Sequence, residues 1–98
     1  MKENIYVTIN HTDEYGGTVH YRVGDTLILK KDHDNCYDDE AIVVYNKHNC
    51  KCGYVANSVA TVARGTLSAG RLYDRIDETS ECRICFILDE RIIARTDI

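Results

Sequence analysis

Proline is absent from this 98-residue sequence, so no X-Pro bond fixes a turn, and the turns must come from glycine, asparagine and aspartate. No stretch approaches the roughly 18 apolar residues that a membrane-spanning helix needs. The N-terminal alternation of Ile5, Val7 and Ile9 with Tyr6 and Thr8 is too short for the apolar region of a signal peptide. We therefore expect a soluble, cytoplasmic protein with no membrane partner.

The five cysteines are an odd number, which argues against a closed set of disulfides. Cys50 and Cys52, together with Cys82 and Cys85, suggest a four-thiolate zinc site. If both pairs lie on strands, Cys50 and Cys52 share a face, whereas Cys82 and Cys85 point to opposite faces. We therefore interpret these residues as buried or edge thiols, with no cofactor and no metal, and keep zinc as the alternative.

The net charge of −4 argues against strong non-specific binding of nucleic acid. The charges are unevenly distributed, however, because residues 41–73 contain no acid while both flanking segments are acidic. The four bases of this central block are Lys47, Lys51, Arg64 and Arg71. The block is either a chance gap in the acids or a local face for an anionic ligand.

Apolar residues with a period of two predict several short strands. The predicted strands cover residues 4–10, 18–23, 26–31, 41–45, 51–55, 71–76, 82–88 and 91–94, with turns at 24–25, 46–49 and 89–90. Val59, Val62, Ala63 and Leu67 form a helical stripe, which Asn57 or Ser58 would cap and Gly70 would end. The fold class predicted is mostly β: a single domain over residues 1–98, built as a small antiparallel barrel with one short helix after the central hairpin.

Catalytic signatures are missing from the sequence. The histidines and cysteines lie in no local motif, and Ser58 and Ser68 have no nucleophile elbow. Asp38, Asp39 and Glu40 are consecutive, so their carboxylates diverge instead of pairing across a substrate. We therefore expect no enzyme and no catalytic residue.

Two features are compatible with binding of nucleic acid. A helix that begins near Asn57 would offer backbone amides to a phosphate, although an ordinary capped helix is the simpler interpretation. Tyr15, Tyr37 and Tyr54 fall in or beside predicted loops, where tyrosines can stack on bases. The remaining tyrosines are better explained by the core or the barrel rim.

The order of motifs along the chain is more specific than any of them alone. Val23-Gly24-Asp25 precedes the third strand, and the acidic turn Asp34–Asp38 is followed by the strand Ala41–Tyr45. A hairpin then leads to Gly53-Tyr54-Val55. Over about residues 19–75 this order resembles the HIRAN domain family.

The resemblance implies an OB-like barrel that binds single-stranded DNA and captures its 3′-hydroxyl end. It implies that Tyr37 stacks on a terminal base, that Asp38 accepts a hydrogen bond from the hydroxyl, and that Tyr54 and Asn57 approach the DNA backbone. Tyr15 stands near the upstream basic and aromatic pair of the family, without the arginine.

The sequence departs from the family pattern where Cys36 replaces the motif proline and where Asn57 is neutral. The expected function is a non-catalytic module for single-stranded DNA ends, with a DNA-processing enzyme acting in trans as the implied partner. The alternative is a protein-interaction or structural module that has the same barrel and little affinity for DNA.

Overall fold

Six antiparallel strands form a closed barrel in the computed structural model, which describes residues 4–97. The strands are β1 (Asn4–Asn10), β2 (Thr26–Lys31), β3 (Ile42–Tyr45), β4 (Lys51–Val55), β5 (Thr79–Leu88) and β6 (Arg91–Asp97), and the helices are a 3₁₀ turn (Thr12–Tyr15) and α1 (Ala69–Tyr73). Around the barrel the order is β1-β4-β3-β2-β5-β6, and β6 pairs back with β1. The predicted small antiparallel barrel is therefore confirmed. No helix in residues 4–97 has the length and hydropathy to cross a membrane.

The strands predicted over 4–10, 26–31 and 51–55 have the predicted bounds, and the fourth begins one residue later than expected, at Ile42. The hairpin turn between β3 and β4 also forms as predicted. The side-chain oxygen of Asn46 accepts hydrogen bonds from the amides of His48 and Cys50, at 2.9 and 3.0 Å. Asn49 takes a left-handed conformation with φ of 63°. Asparagine side chains thus supply the turn that a proline-free chain needs.

The strand predicted over residues 18–23 is wrong, because this segment consists of turns. The Tyr21 amide bonds to the Thr18 carbonyl at 3.0 Å, and the Asp25 amide bonds to the Arg22 carbonyl at 3.0 Å. Val19 is 81% exposed, and within the segment Tyr21 is the side chain that packs against the core. Strand propensity is a weak signal where no neighbouring strand pairs with the segment.

The helix predicted from Val59 to Gly70 is also wrong in position. Residues 57–66 form turns, Val59 is 99% exposed, and the helix occupies Ala69–Tyr73, where a strand was predicted. Leu67 cannot belong to a helix because it makes a parallel bridge to Val7, and its amide donates to the Tyr6 carbonyl at 2.7 Å. Ser68 then caps α1 by accepting from the Arg71 amide at 3.4 Å.

Thr8, a buried residue of β1, attaches the 57–66 segment to the barrel. Its hydroxyl oxygen accepts from the Ala63 amide at 3.1 Å and lies 2.7 Å from the hydroxyl of Thr66. The Thr66 hydroxyl in turn donates to the Ala63 carbonyl at 2.7 Å. A buried polar side chain thus pairs with a loop amide that would otherwise have no hydrogen-bond partner. Nothing in the sequence around Thr8 indicates that its hydroxyl has this role.

Two of the cysteines belong to the barrel core. Cys52 and Cys82 are buried, and burial raises the pKa of both thiols, that of Cys82 to about 12. Cys50 is exposed and precedes β4, so the condition under which Cys50 and Cys52 would share a strand face is not met. Among residues 4–97, no three metal-ligating side chains gather into a potential metal site.

Gly53 lies where β4 passes closest to β1. A Cβ atom at this position would stand 2.4 Å from the carbonyl oxygen of Asn10 and 3.1 Å from a side-chain carbon of Ile9. The register pairs Asn10 with Tyr54. The absence of a side chain at position 53 therefore permits the strand approach that closes the barrel and places Tyr54 beside the end of β1.

We expect Gly53→Ala to lower the free energy of unfolding by about 1–3 kcal/mol, because the added methyl group overlaps a backbone oxygen that cannot move independently. Urea denaturation measures the change. Val59→Ala is the control and should alter the free energy of unfolding by less than about 0.5 kcal/mol, since that side chain is almost fully exposed. An unchanged urea midpoint for Gly53→Ala would contradict the close approach.

Alkylation of the native protein at neutral pH should distinguish the cysteines. The thiolate is the reacting form, so iodoacetamide should modify exposed Cys36 and Cys50 first and leave Cys52 and Cys82 unmodified until the protein unfolds. Peptide mass spectrometry after short exposure, with a urea-unfolded control in which all five react, gives the order. Native labelling of Cys82 at the rate of Cys36 would overturn the described core.

Candidate nucleic-acid interface

The ten residues between β2 and β3, 32–41, form a loop that we name the acidic loop. Its turn is organised by Asn35, whose side-chain oxygen accepts from the amides of Tyr37 and Asp38 at 2.9 and 3.0 Å. At its base the Asp32 amide donates to the Ala41 carbonyl at 2.9 Å. This backbone carries Tyr37 outward, with its side chain 96% exposed. The loop therefore holds an aromatic ring in solvent on an ordered support.

Asp38 is half-buried, and both of its carboxylate oxygens have a partner. One accepts from the Glu40 amide at 2.9 Å, and the other accepts from the side-chain amide of Asn57 at 3.3 Å. The Asn57 side-chain oxygen accepts from the Gly70 amide of α1 at 2.8 Å. Since a carboxylate has about four acceptor positions, Asp38 is oriented by these bonds and still has capacity for another donor.

Asn57 does not stand at a helix N-terminus, so neither the helix cap favoured from the sequence nor the alternative phosphate site forms at this position. No helix begins between residues 56 and 68. Asn57 instead connects the acidic loop to α1 through its two bonds. The family motif implied a place near the DNA backbone for this residue, and the structure brings its side chain into contact with Asp38.

Tyr15 and Tyr54 come from the two sides of the β1–β4 contact. Their ring centroids are 6.2 Å apart and the ring planes are tilted by 54°. The ammonium nitrogen of Lys51 lies 5.8 Å from each centroid, within the range of a cation–π interaction. The charge interaction with Tyr54 raises the pKa of Lys51, while burial and then the neighbouring Tyr54 raise the pKa of Tyr15. Near neutral pH, Lys51 is therefore charged and Tyr15 neutral.

One groove of about 620 Å³ brings together every binding residue predicted from the sequence. We name it the tyrosine groove; its predicted residues are Tyr15, Tyr37, Asp38, Tyr54 and Asn57, and the others include Asn10, His11, Glu14, Asn35, Ser58 and Thr61. The acids among the described lining residues are Glu14 and Asp38, and none of these residues is lysine or arginine. A groove with three tyrosines and two carboxylates suits a ligand with aromatic faces and hydrogen-bond donors.

Sequence reasoning missed His11 and Glu14 in this groove. His11 takes a left-handed φ of 60° where β1 ends, and its ring nitrogen lies 3.3 Å from the Glu14 carboxylate. The spacing of three residues in the 3₁₀ turn brings them together, and nothing in the alternation of β1 indicates that this turn follows. Thr61 was missed because its segment was interpreted as a helix.

The central cationic block does not form one face. Lys47 and Lys51 line a second cavity, of about 540 Å³, which meets the tyrosine groove at Tyr15. Arg64 and Arg71 line another pocket, which shares Asn57 with the groove. The sequence left open a chance gap in the acids or one local face for an anion, and the structure divides the four bases into two pairs.

Two solved structures have the same fold. The HIRAN domain of human HLTF aligns with a TM-score of 0.72 and 19% identity, over 96% of this chain and 73% of that one. A protein from Lactobacillus plantarum aligns with a TM-score of 0.60 and 20% identity, over 99% of this chain and 98% of that one. At these identities the likeness shows the fold.

Sequence comparison identifies the family, whereas the structural likeness identifies only the fold. No curated protein sequence matches the chain significantly. The family model described as the HIRAN domain matches residues 2–80, most of the chain and all of the acidic loop and tyrosine groove. The chain belongs to the HIRAN domain family.

Proposed function

We propose that this domain binds single-stranded DNA and captures its 3′-hydroxyl end. The observation that carries the proposal is the convergence of Tyr37, Asp38, Tyr54, Asn57 and Tyr15 on one groove. These residues come from the acidic loop, the 3₁₀ turn, β4 and the segment after β4. They are the residues to which the family motif assigns contacts with DNA, and their meeting in one place supports those assignments.

Three tyrosines would hold bases. Tyr37 is almost fully exposed, and Asn35 fixes its backbone, so little conformational freedom is given up when a base stacks on it. Stacking on an aromatic side chain contributes about 1–3 kcal/mol per base. Tyr15 and Tyr54 are tilted against each other and so offer a second aromatic surface across the groove.

Asp38 would select the end of the strand. A terminal hydroxyl can donate a hydrogen bond to the carboxylate, whereas a phosphate has no such donor and is repelled. Asn57 and the Glu40 amide hold the carboxylate in one orientation. An acidic side chain in a DNA-binding groove is otherwise unfavourable, so its presence here would be explained by selection of a terminal hydroxyl over a phosphate.

The departure at Cys36 has a physical compensation. Proline at this position would restrict the loop, so its replacement by cysteine would by itself leave the turn less rigid. The two hydrogen bonds accepted by Asn35 span the same turn and order the backbone on both sides of Tyr37. The acidic loop can thus present Tyr37 and Asp38 without the proline.

The proposed module is non-catalytic, and a DNA-processing enzyme would act in trans on the end that it holds. A second candidate function is a protein-interaction module. The observation in its favour is that the charged lining of the groove includes Glu14 and Asp38 but no lysine or arginine among the described residues. Such a groove would suit a cationic peptide segment better than an internal stretch of DNA.

The main prediction concerns the chemistry of the strand end. At low salt, a 5′-labelled oligonucleotide with a 3′-hydroxyl should bind about ten-fold or more tightly than the same strand with a 3′-phosphate, since a hydrogen bond to a charged group contributes roughly 1.5–3 kcal/mol. Fluorescence anisotropy measures both affinities. Asp38→Asn should reduce the preference, because the neutral side chain no longer repels the phosphate.

Asp39→Asn is the matched control, since it removes the same charge from an exposed neighbour in the same loop. It should leave the preference for the hydroxyl intact. Asparagine at position 38 can still accept from the Glu40 amide but loses the bond from Asn57, so urea denaturation of both variants separates any loss of stability from the change in preference. Equal affinity of the unmodified protein for both strand ends, or no binding of either, would sink the end-capture proposal.

A second prediction isolates stacking. Tyr37→Ala should weaken binding of the 3′-hydroxyl strand by about 1–3 kcal/mol, whereas Tyr37→Phe should retain most of the affinity because the ring face remains. Phe86→Ala, which removes an exposed aromatic ring of β5 outside the groove, is the control. The stability of Tyr37→Ala should change little, since its side chain is exposed. Unaltered affinity in Tyr37→Ala would mean that the ring does not contact the strand.

A further inference from the structure

A second cavity lies beside the tyrosine groove and has the opposite charge. It is enclosed by the turns of residues 16–25, the start of β2 and the β3–β4 hairpin, and we name it the basic cavity. Its charged lining has three bases, Arg22, Lys47 and Lys51, and one acid, Asp25. Asp25 already accepts a hydrogen bond from the Arg22 amide at 2.9 Å. His20 and His48 also line the cavity, which thus carries net positive charge and further nitrogen atoms for an anion.

The basic cavity and the tyrosine groove are continuous. Tyr15 lines both of them. Lys51 lines the basic cavity, and its ammonium nitrogen stands equally far from the rings of Tyr15 and Tyr54. A ligand that extends from the groove past these rings would therefore pass directly from two carboxylates to a set of cations.

We propose that the basic cavity holds backbone phosphates of the DNA strand on the 5′ side of its terminal nucleotides. The strand would enter over the basic cavity, pass along Lys51 and Tyr15, and end with its 3′-hydroxyl at Asp38. This inference rests on the proposed function, and it adds a direction and a second binding surface. The charge pattern supports it, because Asp38 meets the end of the strand, which has no terminal phosphate, and the bases of the cavity meet the phosphates.

The opposite direction is disfavoured by the position of Asp38. The arginine pair, Arg64 and Arg71, lies beyond Asn57, and the side-chain amide of Asn57 bonds to the Asp38 carboxylate. If the 3′-hydroxyl meets Asp38 and the preceding bases stack on Tyr54 and Tyr15, the strand runs away from this arginine pair. The preceding phosphates then lie toward the basic cavity, which shares Tyr15 with the groove.

Matched double substitutions test the direction. Arg22→Gln with Lys47→Gln removes two charges that line the basic cavity and not the tyrosine groove. Arg64→Gln with Arg71→Gln removes two charges from the pocket that shares Asn57 with the groove. Each protein is titrated with a labelled octanucleotide over a range of salt concentrations. A dinucleotide with the same 3′-terminal bases is measured by competition, and all strands carry a 3′-hydroxyl.

The Arg22/Lys47 variant should bind the octanucleotide more weakly and with a shallower salt dependence. The slope of log affinity against log salt should fall by about 0.7 for each phosphate that is no longer neutralised. The affinity of this variant for the dinucleotide should be unchanged, and the Arg64/Arg71 variant should match the unmodified protein with both strands. Urea denaturation of the two variants, expected to coincide with that of the unmodified protein, separates weaker binding from a disrupted fold.

Two outcomes would overturn the inference while the proposed function stands. In one, the unmodified protein prefers the 3′-hydroxyl, but the Arg22/Lys47 variant binds the octanucleotide with unaltered affinity and salt slope. In the other, the Arg64/Arg71 variant is the weakened one, which would reverse the direction of the strand. Absence of the hydroxyl preference in the unmodified protein is a different result, because it removes the proposed function itself.

Discussion

The close contact between β1 and β4 is the constraint on which the rest of the structure depends. Barrel closure requires these two strands to pair, and Gly53 leaves room for the Asn10 carbonyl where a side chain would collide. Tyr15 follows β1 within one short turn, and Tyr54 lies in β4, so closure also brings the two rings together. The glycine of the family motif is thus a packing requirement, and the aromatic surface of the groove is its consequence.

Side-chain hydrogen bonds take the place of proline in ordering the loops around that barrel. Asn35 accepts from two amides in the acidic loop, and Asn46 does the same in the β3–β4 turn. Thr8 and Asn57 attach the segment after β4 to β1 and to α1. Each bond is a modest contribution, typically near 1 kcal/mol. Together they hold the binding residues of the acidic loop and of the segment after β4 around one groove, since these residues lie outside the strands.

Sequence-based prediction succeeded where a segment with a local strand pattern also has a neighbouring strand to pair with in the fold. The strands β1, β2 and β4 have the predicted bounds because their inward residues pack into the barrel. The segment 18–23 alternates in the same way but has no strand to pair with. The spacing of Leu67 predicts a helix, but this residue forms a bridge with Val7 of β1. Such choices depend on contacts between distant residues, which one sequence does not contain. The same distinction applies to the site. The turn that carries Tyr37 and Asp38 is local, so the sequence pattern indicates it. The hydrogen bonds that join Asn57 to Asp38 and to Gly70 connect distant residues, and no spacing in the sequence indicates them.

The net charge of −4 by itself argues against a nucleic-acid ligand, but the positions of the charges weaken this argument. The molecule extends 28–35 Å along its principal axes, whereas charges separated by more than about 10 Å are largely screened at 0.1 M salt. Acids on the far side of the barrel therefore have little effect on a strand in the tyrosine groove. The nearby charges matter most, and they are the two carboxylates that line the groove, Glu14 and Asp38, and the bases of the adjoining cavity. Under the proposed function, an acidic domain with this arrangement would repel internal DNA from the groove and attract phosphates beside it, which is the electrostatic condition for holding a strand by its end.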